Sequence, residues 1–240
     1  MTKTKLQIGG LEPASMLERK GNISSIIFVL GCNYRCGFCH NPELVFNTKG
    51  EIQPYPHQEV LKILKSKKNW IDSVIFTGGE PTIYQGLPNF MHKVKNLDLS
   101  IGLHTNGTNP KMIEEILEQN LLDYLAMDVK NHLAKYTQTV GLEKINLDSI
   151  KQSIQLVLQT QDQIQTVFRT TVVPNLIQKK DLPKIGRLIK GAKKACLQQF
   201  RPLRCLDKKF EKIQPYDKLV LDQMADILEQ YVETVDRDYL

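Results

Sequence analysis

Apolar, β-branched runs alternate with helical patterns along nearly the whole chain, and that alternation limits the folds open to it. Six runs read as strands, at residues 25–30, 73–77, 100–103, 124–129, 166–173 and 196–200. Between them apolar residues recur at helical spacing: Val60, Leu61 and Leu64, then Phe90, Val94 and Leu97, then Met112, Ile113, Ile116 and Leu117. Ile150, Ile154, Val157 and Leu158 follow, then Leu182, Ile185, Leu188 and Ile189, with Asp181 expected to cap that helix and Pro183 in its first turn. A last helix is predicted over about 217–235, striped by Leu221, Met224, Leu228, Tyr231 and Val235. Strand–helix alternation gives an α/β fold, a parallel sheet covered by helices. Six units are too few for a closed eight-stranded barrel, so a partial (β/α)6 barrel or open sheet is predicted, with a doubly wound sheet as the alternative. One domain over 1–240 is expected, its core at about 20–205.

In all these architectures ligands bind at the carboxyl ends of the strands, and residues with chemistry cluster there. After the first strand comes a loop with three of the chain's five cysteines, Cys32, Cys36 and Cys39. The second strand ends in Gly78-Gly79-Glu80, where two glycines let backbone approach a ligand and a carboxylate is available to an ammonium group. Past the third lies the polar turn His104-Thr105-Asn106-Gly107-Thr108-Asn109-Pro110. The fourth ends in Asp128-Val129-Lys130, whose alternation sets Asp128 and Lys130 on one face. Arg169 and Thr171 stand on the fifth, Gln199 and Arg201 at the sixth. Each motif alone is a common turn or a solvated ion pair; their coincidence at one sheet edge is what carries weight.

Three thiolates spaced Cys-x-x-x-Cys-x-x-Cys suit an iron–sulfur cluster whose fourth iron is left open. Zinc on Cys32, Cys36, Cys39 and His40 is the competing set, but adjacent Cys39 and His40 suit a tetrahedral ion poorly. An odd, clustered cysteine count argues for reduced thiols and a cytoplasmic protein rather than a disulfide framework. The N-terminus lacks the apolar stretch of a secretory signal, so the mature chain is expected to begin near Met1, and no apolar run is long enough to span a bilayer. The net charge of +6 collects at Lys62, Lys65, Lys67 and Lys68, at Lys190, Lys193 and Lys194, and between Arg201 and Lys212. Without interleaved aromatics these read as solvated faces rather than a nucleic-acid platform. Cys196 is expected to be a buried small hydrophobe, and Cys205, between Arg204 and Leu206, to be exposed with a lowered pKa.

Together, the three-cysteine loop with Phe38 before its last cysteine and Gly78-Gly79-Glu80 resemble the radical S-adenosylmethionine (SAM) superfamily. The segments 39–44, 105–110, 128–130 and 198–202 further resemble its small glycyl-radical-enzyme activases, nearest among them the group acting on anaerobic ribonucleoside-triphosphate reductase. The likeness spans roughly residues 15–202. It departs at His104, where relatives commonly carry aspartate, and at 18–21, where they often carry Asp-Tyr-Pro-Gly.

The resemblance implies a radical SAM barrel with a [4Fe–4S] cluster on Cys32, Cys36 and Cys39 and S-adenosylmethionine on the fourth iron. Backbone near Phe38 would contact adenine, and Gly78, Gly79 and Glu80 the methionine end. Thr105, Asn106, Asp128 and Lys130 would line the ribose and carboxylate side. It further implies reductive cleavage to a 5′-deoxyadenosyl radical that takes hydrogen from a glycine of a partner glycyl radical enzyme, and a flavodoxin- or ferredoxin-type electron donor. On the mechanism the resemblance implies, no side chain needs to be a general base. The alternatives are a radical enzyme acting on a small molecule, of the deazapurine-forming type, or an activator of another glycyl radical enzyme such as pyruvate formate-lyase.

Overall fold

The structure, a computed structural model, describes residues 4–19, 21–46 and 52–239; Met1 and Lys20 lie outside them. The elements in chain order are β1 (Ile8–Ser15), β2 (Ser24–Val29), α1 (Pro42–Val45), α2 (His57–Lys67), β3 (Ser73–Gly78), α3 (Leu87–Lys95), β4 (Ser100–Thr105) and α4 (Pro110–Glu118). They continue with β5 (Tyr124–Asp128), α5 (Tyr136–Val140), α6 (Leu147–Thr160), β6 (Gln165–Val172), α7 (Leu182–Leu188), β7 (Lys194–Gln199), α8 (Lys218–Leu228) and β8 (Thr234–Asp238). Strand order follows the chain, β1 to β8. Contacts gather the residues into two compact units, Met1–Asn33, Glu43–Thr105 and Lys111–Leu125 in one, and Tyr34–Pro42, Asn106–Pro110 and Ala126–Leu240 in the other.

All six predicted strands form, and two more stand beside them. In the first unit β1 pairs antiparallel with β2, while β2–β3 and β3–β4 are parallel. The sequence hid β1 because Gly9, Gly10 and Pro13 read as turn chemistry; an edge strand tolerates Pro, which has no N–H for the ladder. Core strands here are buried on both faces, as in β2 and β3 where Ile26, Ile27, Val74, Ile75 and Phe76 are all interior, the pattern of a parallel sheet covered by helices. The register sets Val29 beside Gly78 and Phe76 beside Leu103, so the loops leaving β2, β3 and β4 start level with one another.

In the second unit β6–β7 and β7–β8 are parallel, and the Val129 N–H donates to the Arg169 carbonyl at 2.8 Å. Helix α6 forms where expected. Asn146 caps it by accepting from the Asp148 and Ser149 N–H groups, and Ile150, Ile154 and Val157 turn inward, each worth about 1.5–3 kcal/mol of burial.

Two expectations are corrected. The last helix ends at Leu228 and Val235 belongs to β8, so the Tyr231 and Val235 spacing was coincidental; β8, Thr-Val-Asp-Arg-Asp, is too charged to stand out as a strand. Asp181 makes no side-chain cap to α7. Its buried carboxylate instead accepts from the Gln178 N–H at 2.9 Å and from Lys135 Nζ at 2.7 Å, with His132 Nε2 at 3.3 Å. That cluster anchors the loop leaving β5. Burial alone would raise the Asp181 carboxyl, but the Lys135 ammonium and the Gln178 N–H outweigh it and hold it below the usual range.

Asp181→Ala is expected to cost about 2–4 kcal/mol in urea unfolding at pH 7, because Lys135 and His132 lose a buried partner, whereas Asp162→Ala, at an exposed ion pair with Lys193, costs under about 1 kcal/mol. Since the folded carboxyl titrates below the unfolded one, its contribution is present above about pH 4 and fades as pH falls further, so the gap between Asp181→Ala and the parent narrows in acid.

Candidate functional site

The cysteine loop leaves β2 through Leu30 and Gly31, and the turn after β3 clamps that exit. The Gly79 N–H donates to the Val29 carbonyl and the Glu80 N–H to the Gly31 carbonyl, each at 2.9 Å. The hydroxyl of fully buried Tyr84 donates to the Leu30 carbonyl. Gly79 is obligatory here: a Cβ on it would lie 1.9 Å from the Gly31 oxygen, a backbone atom that cannot yield. Gly78 takes a φ of +104°. The two glycines therefore set the β3 turn directly under the residue preceding Cys32.

Glu80, 1% exposed, organises the turn. Its Oε1 accepts from the Thr82 N–H (3.0 Å), the Thr82 hydroxyl (2.6 Å) and the Thr105 hydroxyl at the end of β4 (2.7 Å). The level strand ends make that last bond possible. Next to Thr105, His104 is buried, with Nδ1 3.5 Å from the Glu18 carboxylate and its ring against Tyr124. The two places where this chain departs from the resemblance thus touch each other.

In the second unit the loop's other half meets the ends of β5 and β6. The Asp128 carboxylate is bracketed by Lys130 Nζ and Arg169 Nε, each at 2.9 Å. Below it lies the buried Tyr136 hydroxyl, which accepts from the Lys130 N–H at 3.3 Å and donates to the Asp128 carbonyl at 3.4 Å. Burial works against the Lys130 charge, yet the Asp128 carboxylate and the Cys36 side chain outweigh it and push its pKa above the ordinary lysine range. Burial pushes the Cys36 thiol up to about 11, with Lys130 pulling the other way. Asn106 is buried; its Oδ1 accepts from the Thr108 N–H (3.0 Å) and hydroxyl (2.7 Å), closing the turn after β4. Phe38 is buried and packs on Phe210, ring centroids 6.1 Å apart.

All five cysteines carry free thiols, Cys32 and Cys39 partly exposed and Cys36 buried. Among the described residues no three His, Cys, Asp or Glu side chains gather as a metal site. A cluster asks less of the loop than a single ion does, since each thiolate takes a different iron, and a set of three thiols on one short loop fits it. His40 packs against Phe200 at 6.2 Å, and burial lowers its pKa.

Cys205 overturns its expectation: it is buried, and burial together with Glu211 raises its pKa. Cys196 is half-buried rather than buried, its thiol raised to about 11 chiefly by burial. Sequence reasoning passed over Tyr84, Tyr136 and Phe210 and left Arg169 out of the site. Only Arg169 carried a signal, a cation at a strand end.

The family model described as Radical SAM superfamily matches residues 26–181. Over 234 residues the chain is 26% identical to a Methanocaldococcus jannaschii protein whose name assigns it, provisionally, to the glycyl-radical enzyme activating enzymes, covering 96% of this chain and 95% of that one. It is 27% identical over 227 residues to the pyruvate formate-lyase-activating enzyme of Clostridium pasteurianum, covering 90% and 87%. Streptococcus suis SuiB bound to S-adenosylmethionine shares the fold at a TM-score of 0.65 and 15% identity, covering 87% of this chain; the chain spans 48% of that protein, about half its length.

Gly79→Ala is expected to lower stability by more than about 3 kcal/mol, by overpacking against rigid backbone, while Gly10→Ala, whose Cβ would meet only the Phe28 side chain at 3.5 Å, changes it by under about 1 kcal/mol. Thermal unfolding followed by circular dichroism checks the pair; equal melting temperatures would refute the clamp.

Proposed function

The chain belongs to the radical SAM superfamily, and from that premise we propose that it is a glycyl-radical-enzyme activating enzyme whose partner is an anaerobic ribonucleoside-triphosphate reductase. One observation carries the activase reading: the match to relatives named as such activators runs over nearly the full length of both chains. The α/β fold of the radical SAM type accords with it, and so does the donor set on the loop after β2.

In this reading Cys32, Cys36 and Cys39 hold a [4Fe–4S] cluster with S-adenosylmethionine beside it, and the chain works as a single domain. When bound, these groups supply one-electron reductive chemistry that makes a carbon radical able to take a hydrogen atom from a glycine Cα. The protein's own residues bind, orient and exclude water. Gly78 and Gly79 let the β3 turn approach closely, and Glu80 keeps that turn and Thr105 in one rigid unit for the methionine end. Phe38 offers its backbone to adenine. Asn106, Asp128 and Lys130 serve the ribose and carboxylate side, with Arg169 and Tyr136 fixing Asp128 and Lys130 in place. The charge on Lys130 is held by its neighbours, so it suits a carboxylate rather than a proton-transfer role. A flavodoxin- or ferredoxin-type protein would supply the electron, inside the cytoplasm of an anaerobic cell. Among the described residues no helix is long and apolar enough to cross a membrane.

Cys36→Ala is expected to retain the far-ultraviolet circular dichroism of the parent while losing iron and visible absorbance after anaerobic reconstitution. With reductant, S-adenosylmethionine and the anaerobic reductase, the parent protein should produce a glycyl radical signal in electron paramagnetic resonance, and Cys36→Ala none. If 5′-deoxyadenosine forms while no candidate glycyl radical enzyme becomes radical-bearing, the activase reading fails in favour of a small-molecule substrate.

A further inference from the structure

The segment after β7 doubles back as a strap along the cysteine loop. The Leu206 N–H donates to the Cys39 carbonyl at 3.0 Å and the Asp207 N–H to the Gly37 carbonyl at 2.9 Å. Phe210 lies so close over Gly37 that a Cβ there would sit 2.3 Å from its Cε2. The Cys205 N–H is itself fixed, donating to Glu211 Oε1 at 3.1 Å. Cys205 is thus buried and held one residue from a backbone bond to Cys39. Cα atoms of residues paired across backbone hydrogen bonds lie about 4.5–5.5 Å apart, and disulfides bridge Cα atoms at about 4.4–6.8 Å.

We propose that Cys205 is the redox partner of Cys39: when the loop carries no iron and meets dioxygen, the two thiols close into a disulfide that latches the strap to the loop. The step balances as two S–H bonds lost and one S–S bond formed, with two electrons and two protons passing to dioxygen, which leaves as hydrogen peroxide. Cys36 is the rival partner, three positions before Cys39 across a turn in which the Cys39 N–H donates to the Cys36 carbonyl at 3.0 Å. Cys36 feels the charges of Lys130 and Asp128 as well as that of Cys39, whereas Cys39 is the cysteine whose backbone carbonyl is bonded to the strap that carries Cys205. The latch would keep Cys39 from irreversible oxidation and return it on reduction. That consequence for metal loading rests on the cluster reading above; the disulfide itself does not.

The test strips iron from the full-length protein with a chelator, reduces it, and exposes it to air. Free thiols are then alkylated and the protein digested without reduction for mass spectrometry. The expected result is a dominant Cys39–Cys205 crosslinked peptide, with Cys196 alkylated. After dithiothreitol and anaerobic reconstitution the air-exposed parent should recover most of its iron, and Cys205→Ser less than half as much, with Cys39 carried to sulfinic or sulfonic acid. A dominant Cys36–Cys39 or Cys32–Cys39 peptide, or Cys39 alkylated in full, overturns the proposal, and it does so on the parent protein whatever Cys205→Ser does to folding. A reduced parent that never binds iron would instead count against the cluster while leaving the peptide map to decide the latch.

Discussion

The close approach of Gly79 to the Gly31 carbonyl is the contact on which the rest of the site depends. Parallel pairing of β2 with β3 brings Val29 level with Gly78, and the chain beyond each strand must then turn without colliding. Only a residue lacking a Cβ fits there, since a Cβ on Gly79 would fall 1.9 Å from that oxygen. With Gly79 in place, Glu80 follows with its N–H on Gly31 and its carboxylate on Thr82 and Thr105. The first cysteine is thereby launched from a point that three strands agree on.

The other half of the machinery is electrostatic. Asp128 is partly buried, and Lys130 and Arg169 offset its charge from both sides at 2.9 Å. Tyr136 ties the same segment down through two backbone groups. Held so, Lys130 stays charged and pulls the Cys36 thiol toward thiolate, against the burial that raises it to about 11.

Strands β2 to β7 and the cysteine loop were legible because their signals are local: β-branched runs, helical spacing, and three thiols in eight residues. Elements β1 and β8 were not, because edge strands escape the demand for two apolar faces and so can carry Gly9, Gly10 and Pro13, or Asp236, Arg237 and Asp238. Tyr231 and Val235 continued the α8 spacing by chance beyond its end at Leu228. Asp181 looked like a cap because caps are read from neighbours in sequence; its partners Lys135 and His132 lie far along the chain. The same distance hid the burial of Cys205, which depends on a strap returning to residues 37–39. Glu18 and His104 likewise looked like two separate departures until the fold set them 3.5 Å apart.

The central claim is that this chain, with its cluster and S-adenosylmethionine, takes a hydrogen atom from a partner's glycine. The most direct measurement gives it an anaerobic reductase labelled with α-deuterated glycine and examines the 5′-deoxyadenosine by mass spectrometry. The account predicts deuterium in the 5′-methyl group of the product, dependent on the labelled partner. Unlabelled 5′-deoxyadenosine formed at the same rate with and without that partner would contradict it.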